Sequence, residues 1–199
     1  MIKIDIQSKA YGSLPVLGKV GFDIEAGDCV AVLGPSGIGK TTLLRIASGL
    51  DTVFEGQVSR PERLSMVFQE PTLLPWRTAG ENLKLIVGLD DEEVDQALKR
   101  VGLDGKADHL PDQLSLGQRR RLALARAFAA KPDFLVMDEP YASLDKALSG
   151  EMIELTRDLL RETQVATLLV THSEIEAEAL ATRVLHLQGH PAVLSNAPA

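Results

Sequence analysis

The sequence has little of what secreted and membrane-spanning proteins are rich in. Its 199 residues include a single cysteine, Cys29, so an internal disulfide is excluded and a reducing compartment is predicted. No stretch approaches the roughly 18 uninterrupted apolar residues of a membrane-spanning helix, and residues 1–6 alternate like a strand instead of forming the apolar run of a signal peptide. We therefore expect a soluble, cytoplasmic protein in which Cys29 is a small core residue.

Positive charge is also scarce. There are 21 lysine and arginine side chains against 28 aspartate and glutamate side chains, which leaves a formal net charge of −7. Proteins that bind nucleic-acid phosphates are usually basic, so no nucleic-acid partner is predicted. The hydrophobic fraction of 45% and the charged fraction of 25% exclude extended disorder, and the chain length predicts a single domain.

What the sequence does contain is an alternation of strand and helix patterns. Apolar or alternating stretches predict strands at residues 2–6, 20–25, 29–33, 64–68, 133–137, 165–170 and 183–188, with a further short strand after residue 56. Helical spacing predicts helices at residues 40–49, several between 80 and 130, one over 148–159 and one at 173–182. The tail from residue 191 is expected to fray. This order indicates an α/β fold with a parallel sheet and a helical insert.

Residues 34–41 match the pattern GxxxxGK[ST], which is typical of a phosphate-binding loop. The loop follows the predicted strand at residues 29–33 and precedes a helix, which is the context that the pattern requires. Glycines let backbone N–H groups approach an anion, Lys40 supplies a charge for the β- and γ-phosphates, and the Thr41 hydroxyl can ligate Mg²⁺. The predicted nucleotide-binding residues are Gly34, Pro35, Ser36, Gly37, Ile38, Gly39, Lys40, Thr41 and Thr42.

Two acidic residues, Asp138 and Glu139, follow the predicted strand at residues 133–137. In open α/β sheets, ligands bind at the carboxyl ends of the strands, and two acids at such a place are unfavourable without a cation. Asp138 suits the coordination shell of Mg²⁺. Glu139 is the next residue and points elsewhere, so it suits a general base that accepts a proton from an attacking water.

A third motif, Leu114-Ser115-Leu116-Gly117-Gln118, begins a predicted helix for which Ser115 is a natural N-cap. With these motifs in this order, the chain resembles the ATPase subunits of ABC transporters over nearly its whole length. The resemblance implies a P-loop NTPase with a RecA-like parallel-sheet core, a short antiparallel β arm and an inserted helical subdomain. It implies one domain, residues 1–199, with the core and arm at about 1–69 and 132–190, the helical subdomain at about 70–131 and a frayed tail at 191–199.

The same resemblance implies ATP and Mg²⁺ as ligands and gives roles to residues that carry no signal of their own. Tyr11 matches the aromatic residue that stacks on adenine, Gln69 the glutamine that touches Mg²⁺ and water, and His172 the switch histidine that contacts the γ-phosphate. Two subunits of this family pair head to tail, so each ATP lies between the phosphate-binding loop of one and the signature motif of the other. The residues implied to act in trans are Ser115, Leu116, Gly117, Gln118 and Asp145.

One position departs from the family pattern, because Leu116 stands where the signature commonly has glycine. Only a backbone N–H is required there, so leucine is compatible if its φ stays negative. Residues 69–78 look like the nitrate, sulfonate and taurine branch of importers, which also includes thiamine-precursor systems.

That branch implies three partners: a second copy of the chain, an integral membrane permease and a separate solute-binding protein. It places the subunit peripherally at the cytoplasmic face of the inner membrane. Leu73, Leu74 and Trp76 are grouped apolar residues in a loop bounded by Pro71 and Pro75, and such a group predicts the docking site for the permease. The identity of the solute is left open.

Two other functions are compatible with parts of the pattern. One is the ATPase of another ABC system, an exporter or a non-transport protein, although non-transport members typically carry coiled-coil inserts or a second cassette. The other is a P-loop kinase of a small molecule, in which Arg119, Arg120 and Arg121 would be lid arginines. The interpretation of these arginines as a solvated or acid-paired helix face is favoured over the kinase.

Overall fold

Strands and helices alternate along residues 1–195, which are the residues that the computed structural model describes. The strands are β1 (Ile2–Tyr11), β2 (Leu14–Leu17), β3 (Val20–Ile24), β4 (Cys29–Leu33), β5 (Glu55–Ser59), β6 (Leu64–Val67), β7 (Phe134–Asp138), β8 (Ala166–Thr171), β9 (Arg183–Gln188) and β10 (Val193–Ser195). The helices are α1 (Lys40–Ser48), α2 (Ala79–Val87), α3 (Asp91–Arg100), α4 (Leu116–Ala129), α5 (Lys146–Thr163) and α6 (Glu174–Leu180).

The larger sheet has the strand order β10-β9-β4-β8-β7-β6, and all of its pairings are parallel except that of β10 with β9. All five residues of β4 are buried, as expected for a parallel strand covered on both faces. Leu33 lies beside Thr171, and Asp138 beside Val170. The carboxyl ends of β4, β7 and β8 therefore meet at one edge, which brings the segments that follow them together.

The smaller sheet is antiparallel and is centred on β1, which pairs with β2, β3 and β5. Ile2, Ile4 and Ile6 are buried and alternate with outward-facing residues, which confirms the strand predicted from their spacing. They share one hydrophobic cluster with Val30 and Val32 of β4 and with α1, so this sheet packs on one face of the larger sheet. The expected antiparallel arm beside a parallel core is confirmed.

Helices α2 to α5 cover the opposite face of the larger sheet. Ala31 and Leu33 point to this side, in the same cluster as Leu122 and Phe128 of α4. The period-2 geometry of β4 thus divides its residues between the two cores. The limits of the helical subdomain at residues 70 and 131 stay a prediction, because α4 shares one continuous core with the sheet.

The predicted elements formed close to their expected positions, with two differences. The four residues of β2 were missed. Fraying was predicted from residue 191, but Val193–Ser195 form a strand that pairs with β9. Residues 196–199 of the predicted tail lie outside the described residues. Cys29 is a core residue as expected, and burial raises the pKa of its thiol to about 12. None of the helices within residues 1–195 is both long and apolar enough to cross a membrane.

Candidate active site

The phosphate-binding loop connects β4 to α1 and has the geometry that its glycines permit. Gly37 has a φ of 80° and Gly39 a φ of 112°, a left-handed region that favours glycine. A Cβ on Gly39 would lie 2.8 Å from Leu17 Cδ2, so the site has no room for one. Gly39 caps α1 without a side-chain hydrogen bond. The first N–H groups of this helix are therefore left for an anion.

Lys40 lies inside the loop with only 5% of its surface exposed. Its Nζ donates hydrogen bonds to the carbonyl oxygens of Gly34 at 2.8 Å and Pro35 at 3.1 Å, and lies 3.4 Å from Glu139 Oε1. A cavity of about 340 Å³ adjoins it, lined by Val16, Ser36, Gly37, Gly39, Lys40, Thr41, Thr42 and Glu139. The ammonium group thus stands at the wall of an open, polar space.

Asp138 ends β7 and forms a hydrogen bond with the side chain of Thr41. Burial, and secondly the negative charge of Glu139, raise the pKa of the Asp138 carboxyl. A hydroxyl and a carboxylate in contact are the oxygen ligands that Mg²⁺ prefers. No group of three acidic, cysteine or histidine side chains within residues 1–195 could form a metal cage by itself. The pair therefore fits a Mg²⁺ ion that takes its other ligands from phosphate and water.

Glu139 is held between two other predicted site residues. Its Oε2 lies 3.2 Å from His172 Nδ1, while its Oε1 faces Lys40. Its backbone φ is 44°, an uncommon value for a residue with a side chain, and its N–H donates to the carbonyl of Val170 at 2.8 Å. The strand order therefore brings Lys40, Asp138, Glu139 and His172 to one edge of the sheet.

The turn that carries His172 is held by a residue that the sequence analysis missed. The Thr171 hydroxyl donates to Glu176 Oε2 at 2.6 Å and accepts from the Ser173 N–H at 3.0 Å. Glu176 is only 7% exposed, and burial raises the pKa of its carboxyl. The signal that could have identified it is its position on the inner face of α6, four residues before the buried Leu180.

Gln69 follows β6, the neighbour of β7, so it leaves the same edge of the sheet as Asp138 and Glu139. It is exposed, and its backbone carbonyl accepts a hydrogen bond from Arg120 at 2.7 Å. Its contact with Mg²⁺ and water stays a prediction.

The signature motif forms a capped helix, as its sequence indicates. Ser115 Oγ accepts from the Gln118 N–H and Gln118 Oε1 accepts from the Ser115 N–H, which is a complete capping box. Leu116 is the first residue of α4, and its φ is negative, as the sequence analysis required. Gly117 packs so closely on Leu148 that an added Cβ would lie 2.8 Å from it. Asp145 caps α5 by accepting hydrogen bonds from the N–H groups of Ala147 and Leu148, and the trans roles of these residues stay predictions.

Tyr11 ends β1 and is fixed by a small polar network. Its hydroxyl donates to Asp51 Oδ2 at 2.9 Å, and the Lys9 ammonium lies 4.4 Å from its ring centroid. Lys9 also binds Asp51 and the carbonyl of Val53, and its hydrogen bond is the main reason that the pKa of Asp51 is lowered. The ring is held in place, while its stacking on adenine stays a prediction.

The three consecutive arginines of α4 differ in their surroundings, which corrects one expectation. Arg121 pairs with Glu151 and donates to the carbonyl of Val101, as an acid-paired face would. Arg120 is only 6% exposed and donates to three backbone carbonyls, so its assignment to a solvated or acid-paired face is wrong. Three adjacent arginines look alike in the sequence, and only the packing of α4 distinguishes them.

The apolar residues of the loop predicted as a docking site differ in their exposure to solvent. Trp76 is 70% exposed, whereas Leu73 is partly buried and packs against the core below α4. Asn82 is fully buried: its Oδ1 accepts from the Leu74 N–H, and its Nδ2 donates to the carbonyls of Leu74, Arg77 and Thr78. This amide was missed by the sequence analysis, and it fixes the loop from which Trp76 projects.

Comparisons with known proteins place this site in context. A family model described as ABC transporter matches residues 17–142. The aliphatic sulfonates import ATP-binding protein SsuB 1 of Pseudomonas aeruginosa is 42% identical over an alignment of 199 positions, which covers 92% of this chain and 80% of that relative. The SsuB 3 protein of Paraburkholderia xenovorans, with the same description, is 45% identical over an alignment of 181 positions, which covers 89% of this chain and 72% of that relative. The dimeric post-hydrolysis structure of the ATP-binding cassette MJ0796, bound to ADP and Pi, is similar with a TM-score of 0.81 at 28% identity, over 98% of this chain and 97% of that chain.

Proposed function

The chain belongs to the ABC transporter family and is an ATPase of that family, and we propose that it powers the import of small organic sulfonates. The observation that carries the ATP-hydrolysing part of this proposal is the contact of Glu139 with both Lys40 and His172 at the mouth of the phosphate-binding loop. One carboxylate faces both a phosphate-binding cation and a histidine. This arrangement suits the activation of water beside a bound γ-phosphate.

ATP binds by its phosphates to the loop of residues 34–39 and the start of α1. Lys40 gives up its carbonyl contacts for the β- and γ-phosphates, which frees Glu139 Oε1 to accept a proton from water. Thr41 and Asp138 would hold Mg²⁺, which would neutralise part of the phosphate charge. His172 keeps its position against Glu139 Oε2 and adds a donor near the γ-phosphate.

Hydrolysis requires a second copy of the chain, because the phosphate-binding loop precedes α1 whereas the signature motif begins α4. In the head-to-tail dimer, the α4 N-terminus of one subunit meets the γ-phosphate held by the other. The Ser115 hydroxyl and the free N–H groups of that helix then stabilise negative charge. The dimeric form of the similar ATP-binding cassette supports this arrangement.

The permease docks at the loop that carries Trp76. An exposed tryptophan is a strong interface anchor, and the Asn82 amide holds its loop in one conformation before a partner arrives. The loop begins directly after Gln69, so permease contact and the active site share one segment. The chain then lies at the cytoplasmic face of the inner membrane, and a separate solute-binding protein delivers the solute.

The solute class follows from the relatives rather than from the site. The two relatives named above are aliphatic sulfonate import proteins, and each matches at least 89% of this chain. An ATP-hydrolysing subunit does not contact the solute, so its own residues do not indicate the solute class.

Deletion of the gene in its own host tests the proposal. Cells that lack this chain should not grow with an alkanesulfonate as the only sulfur source, and should grow normally on sulfate. The parent chain should restore growth on the sulfonate, and Glu139→Gln should not, although it accumulates to the same level. Sulfonate growth that survives the deletion, with no rise in a second sulfonate uptake activity, would contradict the solute assignment.

A further inference from the structure

Arg120 is the buried member of the three arginines on α4, and its guanidinium group bridges two loops. Its Nη1 donates to the carbonyl oxygens of Gln69 at 2.7 Å and Pro140 at 2.6 Å, and its Nη2 donates to the carbonyl of Ala142 at 3.0 Å. Only 6% of the residue is exposed, so these bonds are shielded from water. A guanidinium group presents its N–H donors in a fixed planar fork, so one side chain can reach carbonyls of two loops.

The three carbonyls belong to the two loops that the proposed function makes catalytic. Gln69 lies in the loop after β6, and Pro140 and Ala142 lie in the loop that begins with Glu139 after β7. These strands are parallel neighbours, with Val67 beside Met137, so both loops leave the same edge of the sheet. Within residues 1–195, no other side chain is seen to bond both loops.

The loop after β7 also needs to be held. Glu139 has a φ of 44°, which a residue with a side chain adopts only where its surroundings fix it. Its N–H is bound to Val170, and its carbonyl accepts from the Ala142 N–H at 3.1 Å, which closes a turn. Arg120 binds the next carbonyl, that of Pro140, and the far end of the same turn.

We propose that Arg120 is a positioning residue for ATP hydrolysis, which holds the turn of Glu139 in its strained conformation and ties the Gln69 loop to that turn. The inference rests on the proposed function of Glu139 and Gln69. Hydrogen bonds from a charged donor are stronger than those between neutral groups. Ser115 caps the same helix. Helix α4 therefore carries the signature motif at its N-terminus and, through Arg120, is bonded to both loops.

Arg121 provides a matched control on the same helix. It donates to the carbonyl of Val101 at the end of α3 and pairs with Glu151 of α5, so it links structural elements and touches neither loop. Arg121→Met therefore removes a comparable number of bonds from α4 without releasing Glu139 or Gln69.

The test compares the purified parent chain with Arg120→Met, Arg120→Lys and Arg121→Met. Steady-state ATPase assays give kcat and KM for Mg·ATP, a fluorescent ATP analogue gives Kd, and amide hydrogen exchange reports on the two loops. Arg120→Met should lower kcat by about tenfold or more, with Kd changed by less than about twofold. Exchange should become faster in both loops together, at residues 68–72 and 139–143. Arg120→Lys should lie between Arg120→Met and the parent, and Arg121→Met should keep its kcat within about twofold of the parent.

Two results would overturn the inference. One is a kcat of Arg120→Met close to that of the parent, and the other is a folded Arg120→Met variant that loses nucleotide binding by as large a factor as it loses kcat. If Arg120→Met does not fold, Arg120→Lys decides, and a parent-like kcat and exchange pattern overturns the inference. An inactive parent chain would instead contradict the proposed function, so the two failures are distinguishable.

Discussion

At the residue scale, the carboxyl of Glu176 lowers stability at neutral pH. Its pKa is raised from the ordinary 4.5, mainly by burial, while Thr171 and His172 act against the rise and Glu139 adds to it. Folding therefore favours the protonated form of Glu176. The free-energy cost of folding with an ionised Glu176 carboxyl is absent below the pKa of the unfolded state, and it grows as pH rises through the pKa of the folded state.

Glu176→Gln should therefore raise Tm at neutral pH, because a neutral amide oxygen still accepts from the Thr171 hydroxyl. A gain of about 1 kcal/mol corresponds to roughly 2–4 °C for a chain of this size. The advantage should shrink toward zero as the pH falls below about 4.5, because Glu176 of the parent then becomes protonated in both the folded and the unfolded state. Melting curves at several pH values measure it, with the exposed Glu174→Gln as control. A Tm difference that does not depend on pH would contradict the prediction.

Leu116→Gly tests whether the leucine in the signature matters. The structure places Leu116 in the first turn of α4, 40% exposed, so its N–H is presented as that of a glycine would be. We expect kcat and KM for Mg·ATP to change by less than about twofold, and Tm to fall because glycine in a helix costs up to about 1 kcal/mol. A several-fold change in kcat at unchanged stability would show that the leucine side chain itself acts in the dimer.

Residues with a sequence pattern were predictable, and residues defined by their burial were not. Lys40, Asp138 and Glu139 follow from motif and strand context, and parallel pairing brings them together. Arg120 and Glu176 were not predicted, because nothing in the sequence distinguishes a buried charged residue from its exposed neighbours. Their burial depends on which face of α4 or α6 the tertiary packing covers.

At the element scale, the loop before α2 connects the active site with an exposed tryptophan. Asn82 and the Thr78 capping box hold the loop ends, and Trp76 projects between them. Its 70% exposure argues against a core role.

Trp76→Ala should leave Tm within about 2 °C of the parent, because few contacts are lost. The ATPase activity of the isolated subunit should also be unchanged, while co-purification with the permease falls severalfold. Val53→Ala, which truncates another exposed apolar residue, is the matched control. A large drop in Tm together with normal permease binding would contradict the docking site.

The elements with strong local patterns were predicted well. The helix at Asp91–Arg100, one of those predicted between residues 80 and 130, begins after the Asp90 cap and ends before Gly102. The edge strands β2 and β10 were missed because they are only four and three residues long. Each pairs with the strand just before it in the chain, and so short a stretch shows no clear alternation of apolar and polar residues.

At the scale of the whole molecule, the phosphate-binding loop and the signature motif lie on different elements, and the proposed function brings them together in a dimer. The central claim is that ATP joins two chains and that Glu139 then hydrolyses it. Glu139→Gln separates the two steps, because an amide cannot accept the proton whereas the loop of residues 34–39 is unchanged.

The most direct measurement is light scattering of Glu139→Gln during gel filtration with Mg·ATP, together with its ATPase rate. The account predicts a particle of twice the 21.5 kDa chain mass in ATP, a single chain in ADP, and a turnover lower by a factor of about 10² or more. Lys40→Ala, which cannot hold the phosphates, should remain a single chain in both nucleotides. A Glu139→Gln variant that hydrolyses ATP at the parent rate, or that stays a single chain at saturating Mg·ATP, would contradict the account.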